Sequence, residues 1–255
     1  MAATNQGQVE GRHHPQYTGR MGALSITWLG HSAFLLETPS GTRVLLDPWL
    51  GNPSCPDAWA TPAAVLPLDL ILLSHGHGDH LGDTVQIARQ SNAPVVCLYE
   101  VGQYLGQKGL KDVKDMGIGG TQTVADVRIT MTNAVHSGSH LEDGRIIYLG
   151  GAAGFILHQA GMPTIYYAGD TAIFGDMKVI ADIYKPEIAF LPIGDHYTMG
   201  PDTAAIAARW LGVRQVVPMH WGTFPLLTGT PEMLKAHLAG SDIEVLELQP
   251  GETAG

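Results

Sequence analysis

The stretch Leu73-Ser74-His75-Gly76-His77-Gly78-Asp79-His80 places three histidines and one aspartate within six residues. The apolar run Leu68–Leu73 ahead of it reads as a buried strand, and Leu81–Ser91 behind it reads as a helix. In α/β folds a strand–loop–helix crossing is where ligands bind, beyond the carboxyl ends of the strands. The interleaved glycines remove bulk and widen the allowed backbone angles, so the flanking side chains can converge. The H-x-H-x-D-H spacing therefore predicts a metal-binding loop rather than a solvated turn. One loop cannot close a two-metal site alone, so further ligands are expected at other strand ends. His136 follows the strand Arg128–Val135, Asp170 follows Thr164–Ala168, and His220 follows Val213–Pro218.

Working outward, Ser25–Leu29, Ala33–Glu37 and Thr42–Leu46 read as short strands, the last two joined by the turn Pro39-Ser40-Gly41. Ala93–Leu98, Thr121–Val127, Gly154–His158, Ile188–Ile193 and Ile243–Leu248 continue the strand pattern. Glu100–Gly109, Ala172–Tyr184, Pro201–Leu211 and Pro231–Ala239 read as helices. The alternation predicts one layered α/β domain over residues 21–255. Residues 1–20 are polar and aperiodic, and are expected to form an N-terminal extension without the apolar segment of a secretory signal. No apolar run approaches the ~18–20 residues that span a bilayer. A cytoplasmic protein is the expectation.

The 255 residues carry 14 Lys+Arg against 24 Asp+Glu, a net charge of −10, which disfavours nucleic acid and anionic membrane surfaces as partners. Two cysteines exclude a disulfide framework. Histidine is the unusual entry in the composition: its 12 copies nearly equal all the basic residues together. Imidazole is the commonest metal ligand and titrates near neutrality.

Taken with Leu29-Gly30-His31-Ser32-Ala33, Leu46-Asp47-Pro48, Ala168-Gly169-Asp170-Thr171, Leu191-Pro192-Ile193-Gly194, Thr198-Met199-Gly200-Pro201 and Pro218-Met219-His220, the set resembles the metallo-β-lactamase superfamily. Within it, the sequence resembles the metal-dependent hydrolases related to L-ascorbate-6-phosphate lactonase. The resemblance runs in order from about residue 22 to the C-terminus. It implies a four-layer αββα sandwich with metals at one edge of the two sheets. It also implies that His75, His77 and His136 bind a first metal, that Asp79, His80 and His220 bind a second, and that Asp170 bridges them. Imidazoles and carboxylates without thiolates suit two divalent ions, zinc foremost, with manganese or iron as alternatives. Two such ions can hold a bridging hydroxide as nucleophile, with Asp79 placed to hold or take its proton.

Other residues carry open alternatives. Asp47 could orient a ligand histidine or cap a turn. His31 could support the site, face the substrate, or be a buried hydrogen-bonded histidine. His196 could stabilise an oxyanion at the rim, and with Tyr197 is a candidate for substrate selectivity. Trp49, Trp59, Trp221 and Phe224 either wall a pocket or pack loops. Cys97 reads as a core residue, and Cys55 has no evident partner. His13 and His14 fall in the extension, while His140, His158 and His237 read as surface residues. The expected function is hydrolysis of a small-molecule ester, lactone or phosphodiester, with homo-oligomerisation left open. A phosphodiesterase or nuclease of the same superfamily is the alternative, and an inactive metal-binding protein a more distant one. Di-iron oxygen reductases of this fold carry H-x-E where His77 stands, which argues against redox chemistry. A β-lactamase does not follow from the fold, because loops choose the substrate.

Overall fold

The computed structural model describes residues 23–255. The extension expected over residues 1–20, with His13 and His14, lies outside the described residues. The first half supplies β1 (Ser25–Trp28), β2 (Phe34–Glu37), β3 (Arg43–Leu46), β4 (Leu70–Leu72), β5 (Val95–Leu98) and β6 (Val113–Met116), with helices α1 (Gly78–Leu81), α2 (Thr84–Ser91) and α3 (Tyr99–Gln107). The second half supplies β7 (Thr121–Val124), β8 (Val127–Asn133), β9 (Ser139–Glu142), β10 (Arg145–Tyr148), β11 (Ala153–His158), β12 (Ile165–Tyr167), β13 (Ile188–Pro192), β14 (Gln215–Met219) and β15 (Glu244–Val245). Its helices are α4 (Met177–Tyr184), α5 (Pro201–Leu211) and α6 (Pro231–Leu238), and β16 (Thr253–Ala254) returns to pair with β1.

Among the described residues these form the small sheet β9–β10 and two seven-stranded sheets, ordered β16-β1-β2-β3-β4-β5-β6 and β15-β14-β13-β12-β11-β8-β7. Their inner faces share one hydrophobic cluster. Phe34 of the first sheet meets Phe190 of the second edge-to-face at 4.9 Å, a favoured aromatic geometry. Helix α3 packs on β5 and β6, while α5 packs on β13 and against α4 and α6. This is the αββα sandwich.

Both sheets turn parallel where the site forms. β3, β4, β5 and β6 run parallel in the first sheet, and β12, β13, β14 and β15 in the second. Strands β4, β5 and β13 are buried throughout, as strands covered on both faces must be. The registers Leu46↔Leu72, Tyr167↔Phe190 and Pro192↔Met219 align their carboxyl ends. Asp47, His75, Asp170 and His220 therefore leave the sheets at one edge.

Several expected elements end early for local reasons. The helix expected over Leu81–Ser91 breaks into α1 and α2 at Gly82, where φ is 36° and a Cβ would stand 2.6 Å from the Trp49 Cα. The helix expected from Ala172 begins only at Met177, and the Ala172 amide instead ties the preceding loop to the Val135 carbonyl at 3.1 Å. A turn at Ala125, with φ 52°, separates β7 from β8 and assigns Val127 to β8. The last expected strand shrinks to β15.

Truncating the inter-sheet contact should be costly. Phe190→Ala is expected to lower unfolding stability by about 3–5 kcal/mol, read from urea or thermal unfolding; a loss under about 1 kcal/mol would show that the two sheets are not coupled there.

Candidate metal centre

The loop after β4 presents His75 and His77, and the short α1 that follows presents Asp79 and His80. His136 comes from the loop after β8, Asp170 from the loop after β12 and His220 from the end of β14. Gly169 makes this approach feasible: its φ is 61°, and a Cβ would lie 2.5 Å from the Ala153 carbonyl oxygen. Three motif residues also adopt left-handed backbone, His31 at φ 53°, Asp47 at 41° and His220 at 55°. Such conformations cost of order 1–3 kcal/mol each and persist only where their surroundings over-determine them.

All seven ligand positions expected from the sequence converge. His75 Nε2 lies 3.0 Å from His77 Nδ1, and His136 Nε2 lies 3.3 Å from the same atom. Asp79 Oδ2 lies 3.7 Å from His220 Nε2 and 3.9 Å from His80 Nε2. Asp170 reaches both sets: its Oδ1 is 3.3 Å from His80 Nε2, and its Oδ2 is 3.1 Å from His220 Nε2 and 3.7 Å from His136 Nε2. The donor atoms form the groups His75-His77-His136, His31-Asp79-His80-His220 and His75-His80-Asp170, each within 4.8 Å. The last group links the other two.

The arrangement fits metal ions on its own chemistry. His80 Nε2 and Asp170 Oδ1 are buried with no hydrogen-bond partner among the described residues, although they face each other. Orphaned buried polar atoms of this kind call for an ion or a proton. Nitrogen and oxygen donors without sulfur suit hard or borderline divalent cations.

Asp47 organises the ligands from below. Its Oδ1 accepts the Ser74 amide at 2.7 Å, and its Oδ2 accepts the Ser74 hydroxyl at 2.6 Å, the Tyr167 hydroxyl at 2.6 Å and His80 Nδ1 at 2.7 Å. Ser74 spends its hydroxyl hydrogen on Asp47, so it accepts from His75 Nδ1 at 2.9 Å. One carboxylate thereby orients a candidate ligand of each donor group and leaves both Nε2 atoms facing the site. Asp47 is thus an orienting residue rather than a turn cap. Sequence reading missed Ser74 and Tyr167, since neither type nor spacing marks them.

Electrostatics divide the histidines. Burial pulls His220 down, but the Asp170 charge and hydrogen bonds to Asp170 and Asp79 outweigh it and hold the imidazole at about 9. His80 is likewise raised, its burial outweighed first by Asp170 and then by Asp47. Burial is the largest influence on His75, His77 and His136 and lowers all three. It lowers His31 to about 4. Burial opposes ionisation of Asp79 and Asp170 too, but His80 and His220 outweigh it, and both carboxyls stay below the usual range.

A cavity of about 370 Å³ opens onto the cluster. His77, Asp79, His136, Asp170 and His220 form its floor, with Ser137, Tyr197 and Phe224 at the rim. A larger concavity of about 490 Å³ beside Lys185, Trp210 and Arg214 holds no such cluster. Not every candidate reaches the cavity. His31 is fully buried behind Asp79, so it does not face substrate. His196 is exposed and outside the lining, its ring edge-on to Tyr197 at 4.4 Å. The structure thus moves the rim contact from His196 to Tyr197. Trp221 stacks on Trp28 at 5.1 Å, Trp49 on Phe224 at 5.9 Å, and Trp59 packs against the core. Of the four aromatics, Phe224 alone lines the cavity. Cys97 is buried in β5, and Cys55 is half-buried and free.

A strand-end cluster of His and Asp in an αββα sandwich is the arrangement of a metal centre of the metallo-β-lactamase type. Comparison with known proteins agrees. The model of the beta-lactamase superfamily domain matches residues 42–221. A UPF0173 metal-dependent hydrolase of Koribacter versatilis is 48% identical over 231 residues, covering 90% of this chain and 97% of the relative. One from Methanopyrus kandleri is 44% identical over 233 residues, covering 90% and 99%. Igni18, a metallo hydrolase of Ignicoccus hospitalis, superposes with a TM-score of 0.80 at 34% identity, covering 91% of this chain and 97% of that one. The chain belongs to the UPF0173 metal-dependent hydrolases of the beta-lactamase superfamily. No helix among the described residues is long and apolar enough to cross a membrane.

Two predictions follow from this geometry. Asp47→Ala is expected to weaken metal binding about 10–100-fold in both ligand sets, measured by chelator competition; an effect on one set alone would contradict the shared role. The second concerns pH. Because His220 is raised from 6.5 to about 9, its contribution to the stability of the metal-free chain is complete below pH 6.5 and is lost as pH rises through about 9. Metal binding needs neutral imidazoles and strengthens over that range. The rise in melting temperature on metal loading should therefore grow from pH 6.5 to 9 in calorimetry; a constant increment would contradict it.

Proposed function

We propose that this enzyme is a dinuclear hydrolase acting on a small ester, lactone or phosphodiester. The observation that carries this reading is Asp170, whose two oxygens reach ligands of both sets from one buried position. His75, His77 and His136 would hold one ion, Asp79, His80 and His220 the other, and Asp170 both. Two divalent ions, zinc or alternatively manganese or iron, would supply Lewis acidity and a water acidic enough to attack at neutral pH.

The chain's own groups do the rest. Asp79 lines the cavity with its side chain 28% exposed, whereas Asp170 is 2% exposed. Asp79 is therefore the carboxylate placed to take a proton from the attacking water. Tyr197 and Phe224 offer an aromatic rim against which an apolar part of the substrate packs. No Lys or Arg lines the cavity among the described residues. That favours an uncharged ester or lactone, or a diester, over a phosphate monoester needing a fixed cation. It also favours a small molecule over a nucleic-acid backbone, in keeping with the net charge of −10.

The test is a panel of lactones, phosphodiesters and phosphotriesters with metal-loaded wild type, His77→Ala and Asp79→Asn. Chelator-sensitive hydrolysis of at least one class is expected, and it should be lost in His77→Ala. Asp79→Asn should lower turnover by ~10²–10⁴ and metal content far less. A His77→Ala enzyme matching wild type on every substrate would overturn the reading, and equal losses of turnover and metal would remove the proton role from Asp79.

A further inference from the structure

His31 is the one member of the donor groups to which the metallo-β-lactamase resemblance gives no ligand role. It is fully buried, and its Nε2 lies 3.1 Å from Asp79 Oδ2. We infer that His31 is itself a ligand of the second ion, alongside Asp79, His80 and His220; this rests on the dinuclear reading above.

Three observations support the assignment. The first is the direction of its hydrogen bonds. The Thr223 hydroxyl lies 2.9 Å from His31 Nδ1 and 3.3 Å from the Trp221 carbonyl, an acceptor that can take its hydrogen and leave a lone pair for Nδ1–H. In that arrangement a neutral His31 ring carries its hydrogen on Nδ1 and turns the Nε2 lone pair towards Asp79. His75 and His80 follow the same pattern, with Nδ1 held by Ser74 and Asp47. Two lone pairs facing each other at 3.1 Å repel unless a cation lies between them.

The second is size. Counting Asp170, the second ion has more than four donors, and neighbouring donors about 2.1 Å from one ion stand ~3.0–3.4 Å apart between octahedral and tetrahedral arrangements. The separations from Asp79 Oδ2 are 3.1 Å to His31, 3.7 Å to His220 and 3.9 Å to His80, so His31 is the imidazole already at that spacing and the other two lie within a few tenths of an ångström of it. The third is the backbone. The left-handed His31 is clamped by its carbonyl, which accepts from the amide of His220 at 3.1 Å and from Trp28 Nε1 at 3.0 Å. His31 is therefore fixed to the same backbone that presents a second ligand. The alternative is that His31 Nε2 carries the hydrogen and donates it to Asp79.

Nuclear magnetic resonance on protein with isotopically labelled histidine, loaded with a spin-active cadmium isotope, separates the two. A ligating imidazole nitrogen shows one-bond cadmium–nitrogen coupling. The expected result is three imidazole nitrogens coupled to the second cadmium in the wild type, with one coupling lost in His31→Gln. Two coupled nitrogens in the wild type, with His31 Nε2 bonded to a proton, would overturn the assignment. The wild-type count decides even if the variant does not fold. A wild type with a single cadmium signal would overturn the dinuclear reading itself, and the assignment with it; that outcome is distinct from two signals with only two nitrogens at the second.

Discussion

The buried carboxylate of Asp47 is the interaction on which the centre depends. It takes hydrogen bonds from Ser74 and His80 on the first sheet's loop and from Tyr167 on the second sheet. A buried charge is tolerated only when it is well paired and hydrogen-bonded, and these donors meet that condition. The same bonds join the sheets at the edge where their parallel strands end. They also set which nitrogen of His75 and His80 faces inward. Fold closure and ligand orientation are thus one constraint, which explains why Asp47 holds a left-handed backbone at φ 41°.

Above Asp47, charge is concentrated to a degree that water cannot relieve. Asp170 and His220 are almost wholly buried, and His75 and His80 wholly so. Without an ion, protons on His80 and His220 balance the carboxylates, and this is what raises those two imidazoles. Divalent cations would replace the protons and satisfy the orphaned His80 Nε2 and Asp170 Oδ1. The interior is built for positive charge, and the open side of the cavity is where a substrate would meet it.

Much of this was legible in the sequence, for identifiable reasons. The H-x-H-x-D-H loop concentrates donors beyond chance, and His136, Asp170 and His220 share its placement after a strand. The family resemblance supplied the division into two sets. The edges of the fold were harder to read. Strands β9 and β10 pair with each other alone and expose Leu141, Ile146 and Tyr148, so no buried face imposes a pattern. Strand β16 is two residues long, and β6 is mostly exposed. Tyr167 reads as an ordinary core tyrosine until the second sheet brings its hydroxyl to Asp47. His196 shows the converse: its position after β13 suggested a site residue, yet a left-handed turn over Asp195 and His196 leaves it exposed, with Tyr197 at the cavity instead.

The central claim is that this cluster holds two ions through Asp170. Calorimetric titration of the metal-stripped chain with zinc or manganese tests it most directly. The account predicts two equivalents per chain, with both sites weakened in Asp170→Asn. Saturation at one equivalent, or an Asp170→Asn titration that matches wild type, would contradict it.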